Sequence, residues 1–293
     1  MSHRLVQQLA EKAIAPMHSC RVLGLSRSGF YAAQKRPKPA TPIALPHLLA
    51  AFAACDKTYG SRRLVTALAE RGQRMGRHRV RKWMRAHGLK ACWKRKFVHT
   101  TDSNHNLPCA SNLLDRQFNQ ERPNQAWVAD ITYIRTRSGW LYLAAVLDLY
   151  SWKVVGWALA PHMRSELVCT ALQMAIAQRS PRAGLIVHSD RGSQYASEAY
   201  QRLLERHGLR CSMSRKGNCW DNAVMERFFL NLKMERVWRH DYANHAEAVG
   251  DVANYIVAFY NTVRLHSKLG NRPPVRFEAE TAEKQPIGVS EIT

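Results

Sequence analysis

The sequence is short of acid and has no long apolar run. Its 22 Asp+Glu stand against 44 Lys+Arg, giving a formal net charge of +22 and a pI near 10.2. No stretch of 18 apolar residues occurs, which excludes a membrane-spanning helix. The N-terminal MSHRLVQQLAEKAIAP has neither the apolar stretch nor the cleavage site of a secretory signal. Seven cysteines, Cys20, Cys55, Cys92, Cys109, Cys169, Cys211 and Cys219, are scattered, odd in number and without a CxxC pair. Neither a zinc knuckle nor a disulfide framework is supported, and reduced thiols in a cytoplasmic protein are expected. The thirteen His include no HExxH. GxxxxGK[ST] and GxGxxG are missing too, so ATP or dinucleotide use is unsupported.

What is present is a core and a lopsided charge. The 293 residues suggest two domains, or one core with an attached module. A hydrophobic content of 46%, with 26 aromatics, is enough for a packed interior and excludes a disordered basic tail. The positive surplus implies a polyanion partner, of which nucleic acid is the commonest. Residues 1–110 hold 21 Lys+Arg and 4 Asp+Glu, whereas residues 111–293 hold 23 and 18. The first third therefore reads as a polyanion-binding module, and the rest as a domain that keeps its carboxylates for a purpose.

Two breaks organise the chain. RPKPATPIALP, residues 36–46, carries four of the twelve prolines and reads as a linker. HTTDSNHNLPCASN, residues 99–112, is a second irregular stretch. Before the first break, SCRVLGLSRSGFYAAQ predicts a helix ending near Gly24 and a second helix capped by Ser26. That pattern fits a helix-turn-helix and a plain helical hairpin equally. Between the breaks, Leu64, Ala67 and Leu68 share one helix face, and Val80, Trp83, Met84 and His87 share another. The outer face of the second helix carries Arg77, Arg79, Arg81, Lys82 and Arg85. Five cations on one face repel each other unless phosphates neutralise them, so DNA contact is expected there. Arg62 and Arg63 join that set.

Beyond residue 113 the pattern changes. Asn124–Thr136 reads as a strand and residues 138–160 as two more about a turn near Asp148–Ser151. Helix over Glu166–Arg179, strand over Gly184–Ser189, helix over Ser197–His207, strand over Leu209–Ser214 and a long helix over Ala223–Trp238 follow. Three strands and then alternating helix and strand predict an α/β domain, a mixed sheet with helices on its faces.

Three acids fall in apolar settings on three of these elements: Asp130 in the first strand, Asp190 ending LIVHSD, and Glu226 one turn into the long helix. A lone buried acid is usually paired with Arg or a backbone donor. Three together favour a hard cation such as Mg²⁺, which neutralises carboxylates that would otherwise repel. Between them lie 59 and 35 residues.

With these acids, WVADITYI, HSDRGSQYAS, GNCWDNAVMERFF, Lys233 seven residues after the Glu, and YNTVRLHSKLGNRPPVRFE, the chain resembles the DDE transposases and retroviral integrases. More narrowly it resembles the integrase-like second-frame product of a large bacterial insertion-sequence family. LGLSRSGFY and YGSRRLVTALAERG extend the resemblance over nearly the whole chain, to about residue 278.

The resemblance implies an RNase H-like core, with the first Asp on the central strand, the second ending a neighbouring strand and the Glu on a helix against the sheet. It implies Asp130, Asp190 and Glu226 as catalytic residues and metal ligands, two Mg²⁺ ions with Mn²⁺ as substitute, and DNA cleavage followed by strand transfer. The implied partners are transposon ends and target DNA, further copies of the chain in the DNA complex, and the upstream reading-frame product as a frameshift fusion. The implied location is the bacterial cytoplasm, at the nucleoid.

The expected organisation is a helix-turn-helix-like segment over 1–36, a Pro-rich linker over 37–46, and a basic helical DNA-binding module over 47–98. A linker over 99–120, a catalytic core with C-terminal extension over 121–280 and a tail over 281–293 complete it.

Residues beside the trio carry expectations of their own. Lys233 shares the face of Glu226 and is expected to hold a DNA phosphate, whereas Arg227 is rotated about 100° away. Asn222 or Asp221 is expected to cap the long helix, Asp221 as a structural residue, and Asp148 to form a turn. His188 is expected to shape the pocket, and Ser193, Gln194 and Tyr195 to line it. Arg264 and His266 fit either DNA contact or docking of the C-terminal segment. Two other functions remain open, a catalytically inactive DNA-binding regulator and a nuclease of the RNase H class.

Overall fold

Three short helices open the chain: α1 (Ser2–Glu11), α2 (Pro16–Val22) and α3 (Arg27–Lys35). The computed structural model describes residues 2–35, 44–92, 110–215 and 219–283. Two units result, Met1–Leu49 and Ala50–Thr293. In the first, Val6, Cys20 and Phe30 make a small interior. Gly24, at φ +62°, turns the chain after α2, and the Ser26 hydroxyl accepts from the Gly29 N–H at 3.3 Å. The helix, glycine turn and serine-capped helix thus form where the sequence placed them. Most of the Pro-rich stretch lies outside the described residues. Its last three residues already belong to α4 (Ala44–Ala54), where Pro46 sits in the first turn and its missing N–H costs nothing.

In the second unit, α5 (Ser61–Glu70) and α6 (Arg77–Ala86) bury Leu64 and Leu68 on one side and Val80 and Met84 on the other. His87 departs from the expected apolar stripe. The helix ends at Ala86, so His87 is a C-cap and is exposed. Residues 93–109 lie outside the described set. The chain after them is pinned to the sheet, because the N–H groups of Leu113 and Leu114 donate to the Ser212 hydroxyl at 2.9 and 3.3 Å.

Five strands follow: β1 (Ala126–Thr136), β2 (Gly139–Asp148), β3 (Val154–Ala160), β4 (Ile186–Ser189) and β5 (Arg210–Met213). Their spatial order is β3-β2-β1-β4-β5, with β1 central. β1, β2 and β3 pair antiparallel, and β4 and β5 run parallel to β1. One face buries Trp127, Ala129, Val146, Val155 and Val187 with residues of α7 (Ser165–Arg179) and α8 (Glu198–Arg206). The other buries Val128, Ile134, Leu143 and Leu147 with α9 (Ala223–Glu235) and α10 (His245–Asn254). Burial on both faces explains why these strands read as apolar runs rather than alternations. Helix α7 comes so close to β3 that a Cβ at Gly156 would lie 2.2 Å from the Ala171 carbonyl oxygen. Only glycine fits there. This mixed sheet with helices on both faces is the RNase H-like core that the resemblance implied.

One boundary differs. α9 stops at Glu235, and a short 3₁₀ turn covers Val237–Arg239. Arg236 leaves helical geometry (φ −134°, ψ −71°), and the guanidinium groups of Arg236 and Arg239 turn to Asp56 at 3.2 and 2.9 Å. A final helix, α11 (Pro274–Ala282), closes the described chain, and most of the expected tail, residues 284–293, lies outside it.

Candidate active site

Strand register brings the first two acids together. Ala126, Trp127 and Val128 of β1 lie opposite Ile186, Val187 and His188 of β4, an offset of 60 residues. Asp130 and Asp190 are separated by the same 60. The pairing runs as far as Val128 and His188, and each acid follows it by two residues, so both lie just past the end of the same pairing. The even positions Val128 and Ile134 of β1 face α9, so the pleat turns Asp130 the same way. α9 packs its apolar stripe, Val224, Met225, Phe228, Phe229 and Leu232, into that face. Glu226 and Lys233, seven residues apart, occupy the helix's half-buried flank, and Arg227 is exposed.

The electrostatics follow from that placement. Burial, then the negative charge of Asp190 and that of Glu226, pushes the Asp130 carboxyl well above the usual carboxylate range. The Ile131 N–H at 2.7 Å and Lys233 oppose the shift without cancelling it. Asp130 keeps some surface, yet its carboxyl group is enclosed, and the enclosure governs the proton. Asp190 accepts from the Gly192 N–H at 3.0 Å, which orients one of its oxygens. Lys233 is pushed down by burial, with Asp130 pulling it back, and its ammonium lies 4.4 Å from the Tyr133 ring centroid.

The donor set suits a hard divalent cation: three carboxylates on three elements, two of them raising the proton affinity of the third. Two orphaned oxygens lie beside it. Asn222 Oδ1 and the Tyr195 hydroxyl are buried and find no hydrogen-bond partner among the described residues. Asn222 is tied to the strand carbonyl preceding Asp130, its Nδ2 donating to Ala129 O at 3.4 Å, and Tyr195 feels the charges of Asp130 and Asp190. Among the described residues no three His, Cys, Asp or Glu side chains close around one point. A cation held here would complete its shell with water or substrate oxygens, as Mg²⁺ commonly does.

Several expectations resolve in favour of structure. Asn222 sits at the N-cap of α9 but makes no capping bond, its amide being turned to β1. Asp221 is fully buried and takes Arg215 Nε at 3.1 Å, Arg116 Nε at 2.9 Å and Asn112 Nδ2 at 3.1 Å. Burial alone would raise its pKa, but the arginines hold it below the usual carboxylate range. It is structural, as read. Asp148 accepts from the N–H groups of Asn124 and Tyr150 and from Arg179, which fixes the β2–β3 turn. His188 lies inside, between the Ser212 and Ser214 hydroxyls at 2.8 and 3.3 Å, and burial lowers its pKa to about 4. It is a neutral bridge between β4 and β5. Ser193 is exposed, and the Gln194 amide is spent on the Met163 carbonyl.

Arg264 and His266 are both buried, and Arg264 clamps Glu235 at 2.7 and 2.8 Å. Docking, rather than DNA contact, accounts for them. Arg63, expected at DNA, has partners inside the protein as well. It lies 5.5 Å from the Tyr59 ring centroid and 3.9 Å from Glu235, so its charge is engaged within the protein. Arg62, Arg77, Arg79, Arg81, Lys82 and Arg85 are exposed as expected.

Sequence reasoning missed Glu235. The available signal was its place in the stripe Phe228, Leu232, Glu235, where helical spacing calls for an apolar residue.

An integrase core domain model matches residues 120–219, a second model of that description matches 207–274, and an HTH-like domain model matches 44–97. The transposase InsF of insertion sequence IS3A from Escherichia coli K12 is 42% identical over 275 residues, covering 92% of this chain and 95% of its own length. A 31 kDa protein of insertion element IS600 from Shigella sonnei is 46% identical over 262 residues, covering 88% and 96%. The simian T-cell lymphotropic virus intasome, solved with a PP2A regulatory subunit, aligns at 16% identity and TM-score 0.47 over 80% of this chain and 74% of that one. The HTLV-2 integrase catalytic core with magnesium aligns at 16% and 0.42, over 54% and 98%.

Fold and matched domains define an enzyme of the polynucleotidyl-transferase type, built on an integrase core. The chain belongs to the IS3 family of insertion-sequence transposases.

Proposed function

We propose that this chain cuts DNA at the ends of an insertion sequence and joins the freed ends to target DNA, with Asp130, Asp190 and Glu226 as its catalytic acids. The observation that carries the reading is Asp130, whose carboxyl is pushed toward the protonated form by burial and by Asp190 and Glu226. The same three residues would hold Mg²⁺, or Mn²⁺ in its place, which supplies an acidified nucleophile and a neutralised leaving oxygen. Asp130 must give up its proton to serve as a ligand, so cation and proton compete for it.

The chain's own residues do the remaining work. Lys233, which feels the charge of Asp130, is placed to hold a DNA phosphate beside the acids. The α6 arginines grip duplex backbone without regard to sequence. In this organisation residues 47–98 form the DNA-gripping module, 121–280 the catalytic core, and 1–36 a further helix-turn-helix-like element. DNA ends are brought together by further copies of the chain, in the bacterial cytoplasm at the nucleoid, with the upstream reading-frame product as a fused partner.

The test separates transposition from hydrolysis. A labelled insertion-sequence end, target plasmid and Mg²⁺ are incubated with the chain. Joined end-to-plasmid products support the proposal, hydrolysed ends without joining indicate a nuclease of the RNase H class, and binding without cleavage indicates a regulator.

A further inference from the structure

We infer that Trp140 and Tyr133, with Arg135 and Lys233, form a stacking platform for an unpaired nucleotide at the DNA end, beside the acids. The inference rests on the DNA-cutting reading and names what the site does to its substrate. β1 and β2 pair antiparallel with Tyr133 opposite Tyr142 and Arg135 opposite Trp140. Among the described residues β4 pairs with β1 only as far as Val128, so the strand edge is open beyond it, and there, at the outer end of the hairpin, Lys233 of α9 lies over Tyr133. The Tyr133 and Trp140 rings meet edge to face at 5.1 Å and 88°. Trp140 nevertheless leaves 49% of its surface open. An indole left half in water contributes little to folding, and this one already has its ring neighbour.

Charge specifies the occupant. Lys233 lies over Tyr133 and also feels Asp130, so one ammonium serves both the platform and that acid. Arg135 is exposed on the same surface. Arg137 is committed to Asp241 at 2.6 Å, and Arg135 acts on the same acid. Open aromatic surface flanked by cations is what bases and phosphates of an unpaired strand bind, since every base has a π face. Bases stacked within an intact duplex cannot use such a ring. Tyr133 lies three residues from Asp130, about 10 Å along the strand, a span of one or two nucleotides. A strand end without its partner would set its base on the platform and its phosphate against Lys233.

The experiment compares the full chain on two DNAs, a blunt duplex and the same duplex with a short unpaired 3′ end carrying 2-aminopurine. Chelator is present, so nothing is cut. The wild type is expected to bind the unpaired end more tightly than the blunt one, with 2-aminopurine fluorescence quenched by stacking. Trp140→Ala should remove about tenfold of that preference and the quenching, and Trp140→Phe should keep most of both. Arg79→Ala with Arg81→Ala should weaken both DNAs equally. Equal weakening of both DNAs by Trp140→Ala, or no change, overturns the platform. So does a lower sedimentation coefficient for Trp140→Ala with the preference intact, which would mark a protein–protein surface. No binding of either DNA by the wild type overturns the DNA-cutting reading along with the platform. Binding with an indifferent Trp140 overturns the platform alone.

Discussion

Helix α9 carries two glutamates with opposite surroundings. Glu235, at its end, is buried and clamped by Arg264, receives the Tyr255 hydroxyl at 2.7 Å and lies 3.9 Å from Arg63. Burial works against the Arg264 charge, but Glu235 more than restores it, holding the guanidinium above its ordinary range. Glu226, near the start, adds its charge to that of Asp190 against Asp130. Elsewhere the protein supplies buried and half-buried acids with arginine: Arg215 and Arg116 for Asp221, Arg179 for Asp148 and Glu278. An acid given a fixed cation is part of the architecture. At Asp130 two further acids add to burial and Lys233 does not cancel them, which is the setting that a divalent cation would relieve.

Neutralising the acids around Asp130 and breaking the Glu235 clamp should therefore break different things. Asp190→Asn or Glu226→Gln should lower DNA cleavage and joining by about 10³-fold or more, the scale on which removing a transition-state charge stabiliser acts. DNA affinity and melting temperature should stay near wild type. Joined product from either variant at a wild-type rate would move both residues out of the catalytic set.

At the clamp the effect falls on stability. Arg264→Met strands a buried carboxylate, and loss of one partner of such a pair costs about 3–5 kcal/mol. Urea unfolding should show that loss. The double variant Arg264→Met with Glu235→Leu should recover much of it, because no charge is left buried. Tyr59 makes this cluster part of a wider joint. Its hydroxyl donates to Val263 O at 3.1 Å and accepts from the Leu265 N–H at 2.8 Å, which fastens the α5 region to the core. A double variant as unstable as the single one would mean that the pair's geometry, not its charge, holds this joint.

Acidity separates the two kinds of acid by sign. Arginine holds Asp221 and Glu278 below their ordinary values against the opposing effect of burial. Their contribution is complete above about pH 4 and is lost as pH falls through the folded values. Asp130 is shifted the other way, so it is no liability below about pH 4 and destabilises progressively as pH rises through its raised value. Asp130→Asn should accordingly raise the melting temperature at pH 8 and leave it unchanged at pH 3.5. Mg²⁺ should raise the wild-type melting temperature at pH 8, more than at pH 5, and should not raise that of Asp130→Asn. An equal Mg²⁺ effect on both proteins would place the cation elsewhere.

The proposed acid trio is legible in the sequence, whereas the arginine joints are not. β1, β4 and α9 announce themselves by composition and period, and their acids stand out as charges in apolar runs. The offset of 60 between β1 and β4 then appears directly as the interval between Asp130 and Asp190. Pairings such as Glu235 with Arg264, or Tyr59 with Val263, join residues 29 and 204 apart and leave no periodic trace. The orphaned Asn222 and Tyr195 oxygens were equally hidden, because only packing decides which polar atoms lose water.

Arg62 and Arg63 carry the contrast down to adjacent residues. Both were assigned to DNA by sequence, yet Arg62 is exposed while Arg63 sits between Tyr59 and Glu235, where burial and then Arg264 lower its pKa. A cation already neutralised inside the protein releases no counterion when DNA binds. Arg62→Ala should therefore flatten the dependence of log affinity on log salt by about 0.9, the amount for one lost phosphate contact, and leave unfolding unchanged. Arg63→Ala should keep the wild-type slope and lower the unfolding midpoint instead. Salt titrations of duplex binding, beside urea melts of the same two variants, measure both. A flattened slope for Arg63→Ala would show that DNA draws this side chain out of the Glu235 cluster, and the line between fixed and exchangeable charge would move to include it.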